Sequence, residues 1–242
     1  MKAPLEEQKA LLELQRVDSQ IDRLDHRRKS LPENLKLSEL RTQTEAIAQL
    51  AAERDGTLVT VRREQERLEH DIDAISRKAA AEEARAAAGR VNNPKELTAI
   101  AAEVDALRRR VASLEDDLLE RMETRETLER ELTELAERRA VADGETAEVT
   151  VARDAALAEI DRELATERAA RTAVVPQVGA QLLTLYEKIR EREGGVGAAA
   201  LVGNVCQGCR VTTSPVELRK LHDLPPDEVK RCDNCRRILV VG

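Results

Sequence analysis

Four cysteines near the end of a 242-residue chain form its most specific chemical pattern: Cys206-x-x-Cys209, 22 residues, then Cys232-x-x-Cys235. The chain has no other cysteine. Two such pairs can supply four thiolates to a single tetrahedral Zn²⁺, each pair acting as a short knuckle. Four sulfurs close the coordination shell, whereas catalytic zinc keeps one position open. One structural Zn²⁺ is therefore expected, with His222 surplus to it. Gly208 and Asn234 fall inside the two knuckles, where positive φ would let the backbone fold around the ion.

Other uses of the same cysteines fit less well. A thiol–disulfide site needs one CxxC at a helix start within a βαβ setting, and no such setting is apparent. An iron–sulfur cluster also takes four cysteines. A RING-type module needs eight ligands. The chain contains no phosphate-binding G-x-x-x-x-G-K-[ST] loop, no G-x-S-x-G elbow and no H-E-x-x-H helix. His26 and His70 fall in helical sequence and read as solvated. No catalytic constellation is found, so the chain reads as a non-enzyme without a small-molecule substrate.

The elements that must position the cysteines follow from composition. Charged residues make up 36% of the chain, and Tyr186 is its one aromatic side chain. A large globular core without aromatics is unfavourable. Abundant Ala, Glu, Arg and Leu instead indicate long helices. The net charge of −7 argues against a generalised nucleic-acid surface. The N-terminus lacks the apolar core of a signal peptide, and no apolar run spans a bilayer. A cytoplasmic location without membrane attachment is expected, where thiols stay reduced.

The chain reads as mainly α: a long antiparallel coiled-coil hairpin over 1–175, a connecting helix and joint over 176–195, and a small β zinc ribbon over 196–242. Leu14, Val17, Ile21, Leu24 and Leu31 follow a 3-4 alternation that breaks at Leu31-Pro32, because proline removes a donor and restricts its predecessor. A second alternation resumes two residues out of phase, through Leu40, Ile47, Leu58, Val61, Leu68, Ile72 and Ile75; Thr44, Arg54, Gln65 and Glu82 are its non-apolar members. The returning helix, about 95–173, carries Leu97, Ile100, Val104, Leu107, Val111, Leu114 and Leu118, with a local weakness expected at Gly144. The arm would approach ~125 Å if straight. Its tip falls at 89–94, with Asn93, Pro94 and Glu96 forming a capping box. A helix over about 177–193 aligns Val178, Leu182, Tyr186 and Ile189, to cover the base of the coil or the ribbon. Gly194-Gly195-Val196-Gly197 reads as a flexible joint. Leu12 and Leu119 are apolar positions left over for dimerisation.

The final 47 residues are too few for a stable core without a metal. Strands are expected over 199–202 and 238–241, and Ser214 to Glu217 forms another capping box. This segment carries seven Lys/Arg and five Asp/Glu, a formal +2. Four thiolates and Zn²⁺ add −2, so the loaded ribbon is close to neutral.

Two kinds of function remain open. Arg210, Arg219, Lys220, Lys230, Arg231, Arg236 and Arg237, extended by Lys188, Arg190 and Arg192, form a candidate phosphate-contacting surface of a nucleic-acid-binding or transcription-associated module. The bland alternative is that they solvate a small fold and pair with nearby acids. Without aromatics in the ribbon, base stacking is excluded. Alternatively, the arm and its tip, with Arg90, Asn93 and Lys95, serve a protein-interaction adaptor or chaperone-like scaffold. Asn93, Pro94 and Glu96 can also be read as merely building the turn.

Cys206-x-Gly-Cys209, Cys232-x-Asn-Cys235-Arg-Arg-Ile-Leu and the tip segment Asn93-Pro94-Lys95-Glu96-Leu97 together resemble a bacterial family of C4-type zinc-ribbon proteins with a long N-terminal coiled-coil hairpin, first catalogued as a domain of unknown function. Leu97 departs from the aromatic residue of that family's tip. The resemblance implies a non-enzymatic zinc protein. Relatives are associated with binding RNA or DNA, or with escorting transcription and secretion components.

Overall fold

A computed structural model describes every residue of the chain except Arg90 and Gly242. Three long helices come first: α1 (Leu5–Lys29), α2 (Pro32–Ala87) and α3 (Pro94–Val174). A single 3-10 turn (Val175–Gln177) leads to α4 (Ala180–Arg192). The remainder is β1 (Ala198–Val202), β2 (Val205–Cys206), α5 (Pro215–Asp223), β3 (Lys230–Arg231) and β4 (Ile238–Val241). Pro32 occupies the first position of α2, where its missing N–H costs nothing. Contacts divide the chain into two compact units, one of Met1–Leu35 with Thr150–Gly242, the other Lys36–Val149.

The second unit is an antiparallel helix pair. Leu40, Ile47, Leu58, Val61, Leu68 and Ala79 are buried from α2, and Ile100, Val104, Leu114, Leu128, Leu135 and Ala142 from α3. The α2 set falls wholly on the alternation expected from sequence. Leu58, Val61 and Leu128 form one core cluster, and Val91, Ile100 and Val104 another. Two non-apolar seam positions have specific partners: Arg54 meets Glu131 at 2.7 Å, and the buried Gln65 accepts a hydrogen bond from Arg125 at 3.5 Å. A buried polar residue such as Gln65 fixes helix register at some cost in stability, whereas the half-exposed Arg54–Glu131 pair contributes little. α3 runs without a break through Gly144, against the expected weakness.

At the tip, the Asn93 side chain accepts from the Lys95 amide at 3.0 Å and so caps α3. The reciprocal half of the expected capping box does not form. Glu96 instead accepts from Arg85 at 2.9 Å, tying the end of α2 to the start of α3. Arg90, the third tip residue singled out from sequence, lies outside the described residues.

The first unit builds the ribbon onto helices. Its sheet has the order β2-β1-β4-β3. β1 and β4, far apart in sequence, pair in parallel from Ala198 opposite Ile238 to Leu201 opposite Val241. One face packs on the helices: Ala198 and Ile238 join Ala3, Leu11, Leu14, Val178, Leu182, Tyr186 and Ile189 in a single core cluster. The apolar face of α4 thus covers α1 and the ribbon together. The other face holds Ala199, Leu201, Cys206, Leu221, Cys232 and Leu239.

Polar side chains of α1 hold the joint between α4 and β1. Gln15 Oε1 accepts from the amides of Gly197 at 2.6 Å and Ala198 at 3.2 Å, while its Nε2 donates to the Gly195 carbonyl at 3.0 Å. A Cβ on Gly197 would meet Tyr186 at 2.7 Å. Of the glycines expected to form a flexible joint, Gly195 and Gly197 are therefore closely packed, whereas Gly194 is exposed with open space around it. Gln8 donates to the carbonyls of Ala3 and Pro226, and Ala3 N–H donates to Asp227 O at 2.7 Å, so the N-terminal residues also pair with the ribbon.

Asp18 is the buried anion of this assembly, 2% exposed. It accepts from the Tyr186 hydroxyl at 2.7 Å and from Arg171 Nε at 2.7 Å, with Arg190 Nε 3.7 Å away. α1, α3 and α4 therefore converge on one carboxylate. Removing it leaves the buried Tyr186 hydroxyl without its acceptor and Arg171 with Glu187 alone, so Asp18→Ala should destabilise the protein by about 1–3 kcal/mol, read by thermal or urea unfolding. Burial and the adjacent carboxylate push the Tyr186 hydroxyl far above the ordinary tyrosine range. Because the folded-state value is raised, this contribution is complete below the unfolded value of ~10 and is lost as pH rises beyond it. Tyrosinate absorbance, which reports Tyr186 alone, should appear only together with alkaline unfolding; smooth ionisation of the native protein near pH ~10 would contradict this.

Candidate metal centre

The four cysteine sulfurs all lie within 4.8 Å of one another. Across the two knuckles, Cys206 to Cys235 and Cys209 to Cys232 are each 3.9 Å apart. A disulfide needs ~2.05 Å. A tetrahedron with zinc–sulfur bonds of ~2.3 Å places its sulfurs ~3.8 Å apart. The donor set therefore fits a zinc tetrathiolate. Cys206, Cys209, Cys232 and Cys235 hold one structural zinc, which cross-links the two halves of the ribbon.

Both knuckles use the same turn. The Cys206 amide donates to Val211 O at 3.2 Å and Arg210 N–H donates to Cys206 O at 2.7 Å. The Cys232 amide donates to Arg237 O at 3.0 Å and Arg236 N–H donates to Cys232 O at 2.8 Å. Within each turn, backbone amides are directed at sulfur. Gly208 and Cys209 donate to Cys206, Val211 to Cys209, Asn234 and Cys235 to Cys232, and Arg237 to Cys235. The Val211 amide, helped by the Asn234 side chain, lowers the Cys209 thiol to about 6. Burial pushes the other three thiols up, against the pull of their amides. A bound cation favours the thiolate at all four positions.

The residue that turns each knuckle is not the one expected from sequence. Positive φ falls at Arg210 (59°) and Arg236 (62°), immediately after the second cysteine of each pair, and not at Gly208 or Asn234. The left-handed turn there aims the following amide, Val211 or Arg237, at sulfur. Gly208 is needed for space: a Cβ would lie 2.8 Å from Arg237 Cδ and 3.0 Å from the Ala199 methyl. Arg237 is a clamp. Its guanidinium donates to the carbonyls of Val196 (2.9 Å), Gly208 (3.2 Å) and Glu193 (2.8 Å), tying the first knuckle to the end of α4.

The seven basic residues singled out in the ribbon separate into distinct environments. Arg237 is committed to those carbonyls, and Lys230 is buried on β3, 8% exposed. Neither belongs to an open basic surface. Lys220 lies 3.5 Å from Glu217, and Arg219 donates to the Pro215 carbonyl. Arg231 donates to the Arg236 carbonyl. Arg210, Arg219, Arg231 and Arg236 are exposed. Of the proposed extension on α4, Arg190 is held by Asp22 at 2.6 Å, whereas Lys188 and Arg192 are exposed. Sequence reasoning missed Gln8, Gln15 and Asp18. The signal was present as a second 3-4 spacing, Gln8, Leu11, Gln15, Asp18, Asp22, whose members are mostly polar.

Residues 14–194 match the model of the CT398-like coiled coil hairpin domain, and residues 205–239 match that of the C4-type zinc ribbon domain. The chain belongs to this family. A solved structure from Mycobacterium smegmatis, 35% identical, matches with a TM-score of 0.87 over 100% of both chains. CT398 from Chlamydia trachomatis, 19% identical, matches with a TM-score of 0.78 over 98% of each chain and shows the shared fold. An uncharacterized protein of Mycobacterium tuberculosis is 33% identical over 242 residues, covering 99% of this chain and 97% of that protein. No helix of the described residues is long and apolar enough to cross a membrane.

The two roles of glycine and arginine in the first knuckle make opposite mutations informative. Arg210→Gly should leave zinc affinity unchanged and stability within about 1 kcal/mol, because relief of positive φ offsets the entropy of glycine. Gly208→Ala should weaken zinc retention against a chelator, because Arg237 must leave its carbonyls. Competition with a chromogenic zinc indicator reads both.

Proposed function

We propose that this chain acts by binding, as a protein-interaction adaptor without catalytic activity. The observation that carries this reading is the set of exposed apolar side chains on the ribbon: Val202 (60% exposed), Val211 (46%) and Val216 (57%). Exposed apolar side chains can enter a protein interface, whereas a phosphate backbone offers them no partner. The hairpin tip offers a second such surface. Leu97 is 38% exposed there, beside a groove of about 470 Å³ floored by Ala86, Ile100 and Val104. Zinc serves as the brace that keeps the ribbon surface in one shape.

Nucleic-acid binding is the second reading, favoured by Arg210 and Arg236. Both are exposed arginines at positive φ, where glycine or asparagine would be less costly. Against it stand the withdrawal of Lys230 and Arg237 and the near-zero charge of the zinc-loaded ribbon.

Two measurements separate the readings. A photo-crosslinking amino acid placed at Val202, Val216 or Leu97 in cells should yield discrete protein adducts that survive nuclease treatment. Absence of protein adducts at all three positions would remove the adaptor reading. Oligonucleotide anisotropy should show no binding at ~50 mM salt. Binding whose log–log salt slope approaches about −3.6, the value for four arginine–phosphate contacts, would establish the second reading.

A further inference from the structure

The ribbon carries a groove between the start of α5 and the second knuckle, about 200 Å³ in volume. Its floor is apolar and fully covered: Leu221 is 4% exposed, Leu239 0% and Cys232 5%. Its two charged lining residues besides the cysteine are both acidic, Glu217 and Asp233. None of the ribbon's arginines lines it. Cys232 brings the zinc tetrathiolate, formally −2, to the same wall. The electrostatic character of this groove is thus opposite to that of a phosphate site.

We infer that this groove accepts a long basic side chain, arginine or lysine, from a protein partner. The match is one of composition as well as charge. Such a side chain has an apolar stem and a cationic head. The stem would lie along Val211, which lines the groove and is 46% exposed, and the head would meet Glu217 and Asp233. The Glu217 carboxylate is only 20% exposed, and its present partner, the Lys220 amine 3.5 Å away, is 69% exposed. An incoming cation therefore displaces a weak, solvated pair. The volume suits one side chain, so the groove would select a residue within a partner segment. This inference rests on the adaptor reading and assigns chemistry to one part of its surface.

The test uses the full, zinc-loaded chain and two blocked pentapeptides, one alternating leucine with arginine and the other leucine with glutamate. Amide chemical shifts of Thr213, Glu217 and Asn234 should move with the arginine peptide and not with the glutamate peptide. Glu217→Lys combined with Asp233→Lys should weaken the arginine peptide at least about tenfold while zinc content is unchanged. Glu217→Gln combined with Asp233→Asn, which adds no repulsion, should weaken it less. Equal shifts with both peptides, shifts confined to other surfaces, no shift at all, or indifference to the charge-reversed variant would each overturn the assignment. Protein adducts formed in cells independently of these variants would leave the adaptor reading standing without the groove. Loss of all protein adducts would remove the adaptor reading itself.

Discussion

Four sulfur atoms held within 4.8 Å of one another are stable only around a cation. As thiolates alone they would repel; as thiols they would forfeit the amides aimed at them. Zinc resolves both, and the ribbon, too small to supply a core of its own, is organised around that resolution. The two knuckles are the same turn used twice. Each takes its shape from one positive-φ residue that sends the next amide to sulfur. Arg237 then carries the order outward, from the first knuckle to the end of α4.

The metal-held module is not an independent appendage. Ala198 and Ile238 enter the same core as Leu11, Leu14, Tyr186 and Ile189. Gln15 reads the amides of Gly197 and Ala198, so the connection that glycine would leave loose is closed from α1. Asp18 adds a buried anion on which α1, α3 and α4 converge. The first helix therefore has two packing faces: one stripe packs along α3, through Ile21 and Leu24 with Ile160 and Leu164, and another grips the ribbon and α4. Zinc occupancy should matter to α1 as much as to the strands that touch the metal.

The long helices and the sulfur cluster were legible in the sequence because each rests on one strong periodic or spacing signal. The 3-4 alternation in α2 places Leu40, Ile47, Leu58, Val61 and Leu68 where they are buried, and two CxxC pairs in a short tail specify a closed metal site. The conformation inside the knuckles is not legible in the sequence. Glycine and asparagine look like the residues for positive φ, but the amide geometry needs the turn one step later, at Arg210 and Arg236, and Gly208 is chosen for clearance. The joint is not legible for a similar reason: its glycines imply mobility only until Gln15, the long-range partner of Gly195 and Gly197, is known. Sequence carries no burial, so the basic residues look alike in it, whereas Lys230 is buried and Arg237 is bound to carbonyls. The parallel pairing of β1 with β4 leaves no local trace at all.

Tyr186 gives this account its most direct test. It is the one aromatic residue of the chain and packs against Ala198 and Ile238 at the junction of helix and ribbon. Zinc release by a strong chelator can be followed by elemental analysis together with the near-ultraviolet circular dichroism of this tyrosine. One zinc should leave per chain, and the tyrosine signal should collapse in proportion while most helical signal remains. A protein isolated under reducing conditions without bound metal, or a tyrosine signal indifferent to its removal, would contradict the account.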